Sequence, residues 1–271
     1  MSTHALHSHL QLVEQDHAET PAVAFFDLDR TLIAGYSIVA IARERIRHGL
    51  SRGDVLDSAA ILRDLLRQQR TMEKGLKGPA YNRLVRTLSK SLKGISEDTF
   101  RQLGKQAYHN SIARSLYSEA IALIETHRRA GHRVVIVSAA TRYQIEPIAE
   151  VLGVDEICCT VLEVEDGLFT GKPLAPLCYG EGKAMAARRL CKRLGTSLSS
   201  SWFYSDSIDD LPLLRRVGKP VAVNASEKLA DYATAHHWPQ LQFETRGLPS
   251  LETALRTLLT MQTVAATTAW C

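Results

Sequence analysis

Residues 22–35 read AVAFFDLDRTLIAG, and this stretch decides the fold. An apolar, partly β-branched run stops at two carboxylates one residue apart, Asp27 and Asp29, followed by Arg30 and Thr31. Short apolar runs bounded by polar residues are buried strands, so the stretch predicts a strand that delivers charge to its carboxyl end. Unpaired carboxylates beside a core lose hydration, a cost that a bound cation or a phosphate-binding task offsets. The competing reading is a solvated acidic turn, and the rest of the chain has to decide between them.

Past Gly35 the period changes from strand to helix. SIVAIARERIRHG from Ser37, DVLDSAAILRDLLRQQR from Asp54, NRLVRTLSKSLKG from Asn82 and SEDTFRQLGKQAYHN from Ser96 carry apolar residues at three- and four-residue spacings. Ser51 with Asp54 and Ser96 with Asp98 read as helix starts. From about residue 113 an α/β rhythm returns. An amphipathic helix up to Gly131 feeds the strand HRVVIVS, which ends at Ser138; a helix, the strand ICCTVLEV and the turn EDGLFTG follow. A helix through KAMAARRLCKRLG, the strand SSWFYS before Asp206, the helix LPLLRRVG and a final strand KPVAVN complete the series. Alternating strands and helices predict a Rossmann-like, doubly wound parallel sheet covered on both faces, interrupted after its first strand by an all-helical insertion. The expected divisions are a flexible N-terminal tail over 1–20, an α/β core from 21–35 and 115–245, a helical cap over 36–114, and a C-terminal helix and tail over 246–271.

The 271 residues, 45% hydrophobic and 23% charged, suffice for one large domain with a smaller companion. No apolar run approaches the roughly 20 residues that span a bilayer, and the N-terminus lacks a basic start followed by an apolar block, so a cytoplasmic protein is expected. Five cysteines without a Cys-x-x-Cys pair argue against a disulfide scaffold and a zinc site. Histidines 4, 7, 9 and 17 read as part of a solvated leader. The net charge of +4 is uneven: residues 41–105 hold 15 Lys and Arg against 7 Asp and Glu. Without interleaved aromatics or a DNA-binding motif, that surplus suits an anionic small substrate or a solvated face better than nucleic acid. The C-terminal stretch GLPSLETALRTLLTMQ is amphipathic but lacks a cationic face, so it is expected to dock on the domain or on a second copy, as in a homodimer, rather than on a membrane.

Ligands of open parallel sheets bind outside the carboxyl ends of the strands. Aligned that way, Asp27 and Asp29, then Ser138, then Asp206 with Asp209 and Asp210 fall on one edge, and Lys183 follows Gly180-Glu181-Gly182 at a helix start. Several carboxylates converging without a counter-ion repel one another, so a divalent cation is implied, and an all-oxygen donor set favours Mg²⁺ over zinc. The Ser138 hydroxyl, the Ala139 N–H, the Lys183 ammonium and N–H groups after Asp27 suit phosphate. Metal and phosphate together point to phosphoryl transfer, with one carboxylate as nucleophile and the other as general acid and base. Taken singly, Ser138 is a common strand-end cap, Lys183 a surface lysine, and Asp206 with Asp210 a dipole-favoured acidic pair. Their joint occurrence in order along one edge favours the site.

FFDLDRT, IVSAA, the lysine of YGEGK, and YSDSIDDLPLL resemble the four motifs of the haloacid dehalogenase superfamily of phosphatases. The helical insertion after the first motif resembles the subclass with a helical cap there, the group that includes phosphoserine phosphatase. The resemblance covers residues 22–224. It implies that Asp27 is the nucleophile forming an aspartyl-phosphate and Asp29 the acid and base, and that Ser138, Ala139 and Lys183 bind the phosphoryl group. It also implies that Thr31 steadies the first loop and contacts phosphate, that Asp27, Asp29 (through its carbonyl) and Asp206 hold Mg²⁺, and that Asp210 supports the lysine or the metal waters.

Three positions depart from the pattern. Tyr36 stands where phosphoserine phosphatases carry a glutamate for the substrate ammonium, which argues against phosphoserine. Asp209 replaces the usual asparagine, and Arg30 a small residue. Arg30, Tyr36, Arg63, Arg67 and Arg70 are the candidate substrate-selecting positions, the three cap arginines on helical spacing alone. The expected function is a Mg²⁺-dependent phosphatase of a small soluble phosphorylated metabolite. The competing readings are transfer of the phosphoryl to an alcohol, a non-catalytic binding module, and dehalogenation.

Overall fold

The computed structural model describes residues 2–16, 22–51 and 78–247. Arg63, Arg67, Arg70 and the C-terminal amphipathic stretch lie outside them. The strand expected from the opening stretch is β1, Val23–Phe26, buried along its whole length. Its neighbours in the main sheet are β2 (Arg133–Thr141) and β6 (Trp202–Ser205), both parallel to it. Beyond them lie β3 (Glu156–Thr160) on one side, and β7 (Lys219–Val223) and β8 (Gln240–Leu241) on the other, giving the order β3-β2-β1-β6-β7-β8. The chain winds outward from β1 in one direction and returns to wind outward in the other, so β1 sits at the switch point, where adjacent crossovers diverge and leave a crevice.

Two apolar layers sandwich this sheet. Phe26, Val134 and Ile136 face helices α5 (Ser118–Arg129) and α6 (Arg142–Leu152), while Phe25, Val135 and Phe203 face α7 (Glu181–Arg193) and the short α8 (Leu211–Leu214). Both faces are covered, as continuous apolar strands require. A further helix, α9 (Glu227–Ala235), packs on β7. Between β1 and β2 the described insertion is helical: α2 (Ser37–Ser51), α3 (Gly78–Lys90) and α4 (Glu97–Asn110). Ser96 caps α4 as expected, its side chain accepting from Thr99 N–H; Ser51 is the last described residue of α2, and the start expected there with Asp54 lies outside the described residues. Helix α4 lies so close to α6 that a Cβ on Gly104 would stand 2.0 Å from the Tyr143 carbonyl oxygen. Arg101 and Glu97 of α4 bond Glu146 and the Tyr143 hydroxyl of α6, latching the insertion to the core.

Three sequence expectations need correction. ICCTVLEV is two strands rather than one: β3 stays in the main sheet, and β4 (Leu162–Glu165) turns away to pair with β5 (Leu168–Pro173). Asp166 and Gly167, both at positive φ, make the two-residue hairpin turn there. The sheet also continues past Asn224 into β8, too short to leave a periodic signal.

The third correction concerns the leader, expected as a flexible tail over 1–20: Ser2–Glu14 is a helix, α1, with His9 and Val13 buried and Leu6 and Leu10 packed on the core. His9 Nε2 lies 3.1 Å from the Tyr204 hydroxyl, and beyond the helix Asp16 accepts from Trp202 Nε1 at 2.7 Å and from Lys219. The histidine that reads as solvated carries the docking contact.

Candidate active site

The carboxyl edge at the switch point gathers the expected residues. Asp27 follows β1 directly, its N–H donating to the Tyr204 carbonyl of β6, so the first carboxylate is fixed by the sheet ladder itself. Asp206 follows β6. Lys183 comes from the first turn of α7, which is pressed so closely against the preceding loop that a Cβ on Gly182 would stand 1.8 Å from the Leu177 carbonyl oxygen. Its Nζ donates to Asp27 Oδ1 and to Asp210 Oδ2, each at 2.7 Å, and Asp210 Oδ2 also accepts from Ser205 Oγ at 2.6 Å. All three of these side chains, Asp27, Lys183 and Asp210, are almost fully buried.

Burial and charge set the electrostatics. Burial alone would pull the Lys183 ammonium down, but Asp210 and then Asp27 outweigh it and hold its pKa above the ordinary value. Burial pushes the Asp27 carboxyl up to about 7, against the pull of Lys183. Asp206 is pushed well above the usual carboxylate range, by burial first and then by Asp27. Its nearest cation is Arg30 Nε at 3.4 Å from Oδ2, on a side chain 41% exposed. Arg30 therefore points into the site; it has φ 63 and also meets the Tyr36 hydroxyl.

Asp27 and Asp206, mutually repelling and short of positive charge, offer hard oxygen donors. Among the described residues no three His, Cys, Asp or Glu side chains cluster as a metal cage. Two carboxylates are a sparse oxygen set of the kind that suits Mg²⁺, which keeps several waters and binds through one or two carboxylates. The residues present fit that ion.

The other expected positions divide. Ser138 is buried on β2, its Oγ accepting from Ala140 N–H at 3.2 Å, and the strand runs three residues beyond it. Ala139 lines a cavity of about 110 Å³ beside Asp29, walled by Ile38, Val85, Leu88, Leu92 and Phe100 at the junction of insertion and core. Asp209 is partnered by the Tyr179 side chain. Thr31 is fully buried in the first loop, its N–H on the Leu28 carbonyl, and among the described residues its hydroxyl meets no partner.

Three residues near the site were not read from the sequence. Ser205 holds Asp210, while Ser37 and Gln144 bond to one another, and Ser37 to Asp29. The signal was present for Gln144 alone, as the Thr-x-x-Gln capping box of α6.

A doubly wound sheet with a helical insertion after its first strand, and a lysine bridging two aspartates at the switch point, defines a hydrolase of the kind that works through strand-end carboxylates. Residues 24–215 match the haloacid dehalogenase-like hydrolase family, and the chain belongs to it. It is 36% identical over 230 residues to an "Inhibition of morphological differentiation protein" of Streptomyces azureus, covering 84% of this chain and 81% of that one. It is 36% identical over 220 residues to a probable phosphatase of Mycobacterium tuberculosis, covering 81% and 75%. A Bordetella pertussis crystal structure of unknown function superposes with a TM-score of 0.71 at 28% identity, over 82% of this chain and 98% of that one.

Proposed function

We propose that the protein is a Mg²⁺-dependent phosphomonoesterase that hydrolyses a small phosphorylated metabolite through an aspartyl-phosphate on Asp27. The observation that carries this reading is the Asp27–Lys183–Asp210 chain beside Asp206 at the switch point. An Asp27 oxygen attacks phosphorus as the ester P–O bond breaks, and Asp29 gives its proton to the departing oxygen, releasing the alcohol. Asp29 then takes a proton from water, whose oxygen attacks the same phosphorus, and Asp27 leaves as carboxylate with inorganic phosphate. Lys183, kept charged by Asp210, neutralises the phosphoryl oxygens in a site that excludes water. Ser138 and the Ala139 N–H flank the same phosphoryl position. Asp27 and Asp206 would hold Mg²⁺, which would supply positive charge that favours the ionised nucleophile and offsets the phosphoryl charge.

The M. tuberculosis relative named a probable phosphatase supports the reaction class. Tyr36, occupied with Arg30, offers no carboxylate for a substrate ammonium, which argues against phosphoserine. The test is phosphate release from p-nitrophenyl phosphate with Mg²⁺. Because uncatalysed monoester hydrolysis needs acceleration of up to about 10²¹-fold, Asp27→Asn drops turnover below detection. A variant that keeps wild-type turnover refutes the nucleophile and with it the mechanism.

A further inference from the structure

Asp29 is held by the first residue of the insertion. Ser37, the opening residue of α2, is fully buried, and its N–H donates to Asp29 Oδ1 at 2.7 Å. The Ser37 side chain also favours the charged form of that carboxylate. On its other side Ser37 Oγ accepts from Gln144 Nε2 at 3.0 Å. Gln144 cannot turn away, because its Oε1 accepts from Thr141 N–H at 2.9 Å and from Thr141 Oγ1 at 2.8 Å, closing the capping box of α6.

This order fixes direction. An amide nitrogen only donates, so Ser37 Oγ is the acceptor in its bond to Gln144, and that bond leaves the hydroxyl proton unused. The line therefore runs from the core helix α6, through the first residue of the insertion, to one oxygen of the carboxylate. Gln144 is buried, so none of these bonds competes freely with water. The cap does not require the link: α6 is capped by Thr141 and Gln144 through Gln144 Oε1, whether or not Nε2 reaches Ser37.

We infer that Ser37 and Gln144 are positioning residues for the proton step: by engaging Asp29 Oδ1 they leave Oδ2 as the oxygen that exchanges the proton with the leaving group and with water. The assignment rests on the phosphatase reading and deepens it. It also ties the proton donor to the seating of the insertion, because Ser37 belongs to one and Gln144 to the other of the two bodies that meet over the cavity.

The experiment compares esters that do and do not need a proton. The kcat/KM of this reaction reports the steps through P–O cleavage, where an alkoxide must be protonated and p-nitrophenolate leaves without help. Ser37→Ala and Gln144→Met are expected to lower kcat/KM about 10- to 100-fold for the alkyl phosphate turned over fastest in a metabolite panel, the penalty of a misplaced catalytic group. For p-nitrophenyl phosphate the loss is expected to stay within about threefold, since it is indifferent to the general acid. Ser37→Thr, which keeps the hydroxyl, restores the alkyl ester. Equal losses on both esters in both variants, or no loss on the alkyl ester, overturn the assignment and leave the phosphatase reading standing. A wild-type chain that frees no phosphate from either ester overturns both.

Discussion

Acid should loosen the docked N-terminal helix, and the size of the effect can be worked from His9. Its ring is packed against Trp202 and Tyr204, and burial pulls its pKa from 6.5 down to about 4. His127, bonded to the same Tyr204 hydroxyl at 2.8 Å, is pulled down too, by burial first and then by His132. The bonds continue from His127 Nδ1 to His132 Nδ1 at 2.8 Å, and from His132 Nε2 to the Asp16 carbonyl at 3.1 Å.

With the three rings neutral, one arrangement satisfies every atom. The carbonyl can only accept, so His132 Nε2 donates to it and His132 Nδ1 accepts from His127; Tyr204 then donates to His127 and accepts from His9. An added proton on His9 enters a buried site that favours the neutral ring. Because the folded pKa lies below the unfolded one, this stabilisation is complete above pH 6.5 and is lost as pH falls toward 4. By pH 5 the loss from His9 is about 2 kcal/mol, and by pH 4 and below it approaches the full shift of about 3 kcal/mol. Urea unfolding at pH 7.5 and pH 5, for wild type and for His9→Gln, isolates that share, since glutamine can still donate to Tyr204 but does not titrate. The variant should show a pH dependence smaller by about 2 kcal/mol. An identical pH dependence in the two proteins would refute the reasoning.

Two further substitutions test the frame around the site. Asp210→Ala leaves the buried Lys183 with Asp27 alone; breaking one arm of such a pair costs about 3 kcal/mol or more and lowers phosphate release with it, and an unchanged melting temperature would contradict the shared burial of the three groups. Gly104→Ala gains about 1 kcal/mol of helix propensity but drives a methyl group into the Tyr143 carbonyl, and overpacking of this kind costs about 1–3 kcal/mol, so the variant should melt lower than wild type. A higher melting temperature would show that α4 can withdraw from α6 without loss.

The central strand and its acidic end were legible because their physics is local. Four buried residues followed by Asp27 and Asp29 leave a pattern no helix shares, and the alternation after residue 113 repeats it. Asp206 and Lys183 could be placed because sheet topology brings strand ends to one edge whatever the intervening sequence. The docked leader was not legible, since a histidine reads as polar and becomes a core residue only when partners 195 and 77 residues apart along the chain, His9 and His127 on Tyr204, share one hydroxyl.

The same reasoning explains why the chemistry of this chain is easier to read than its substrate. The charged groups at the switch point lie within a few ångströms of one another, so Asp27, Lys183 and Asp210 constrain one another through direct bonds. The cavity beside Asp29 carries no such constraint: Ile38, Val85, Leu88, Leu92 and Phe100 satisfy packing whichever alcohol they meet. Selection of the leaving group is therefore expected to respond to substitutions along that wall, while Ser37 and Gln144 hold Asp29 beside it.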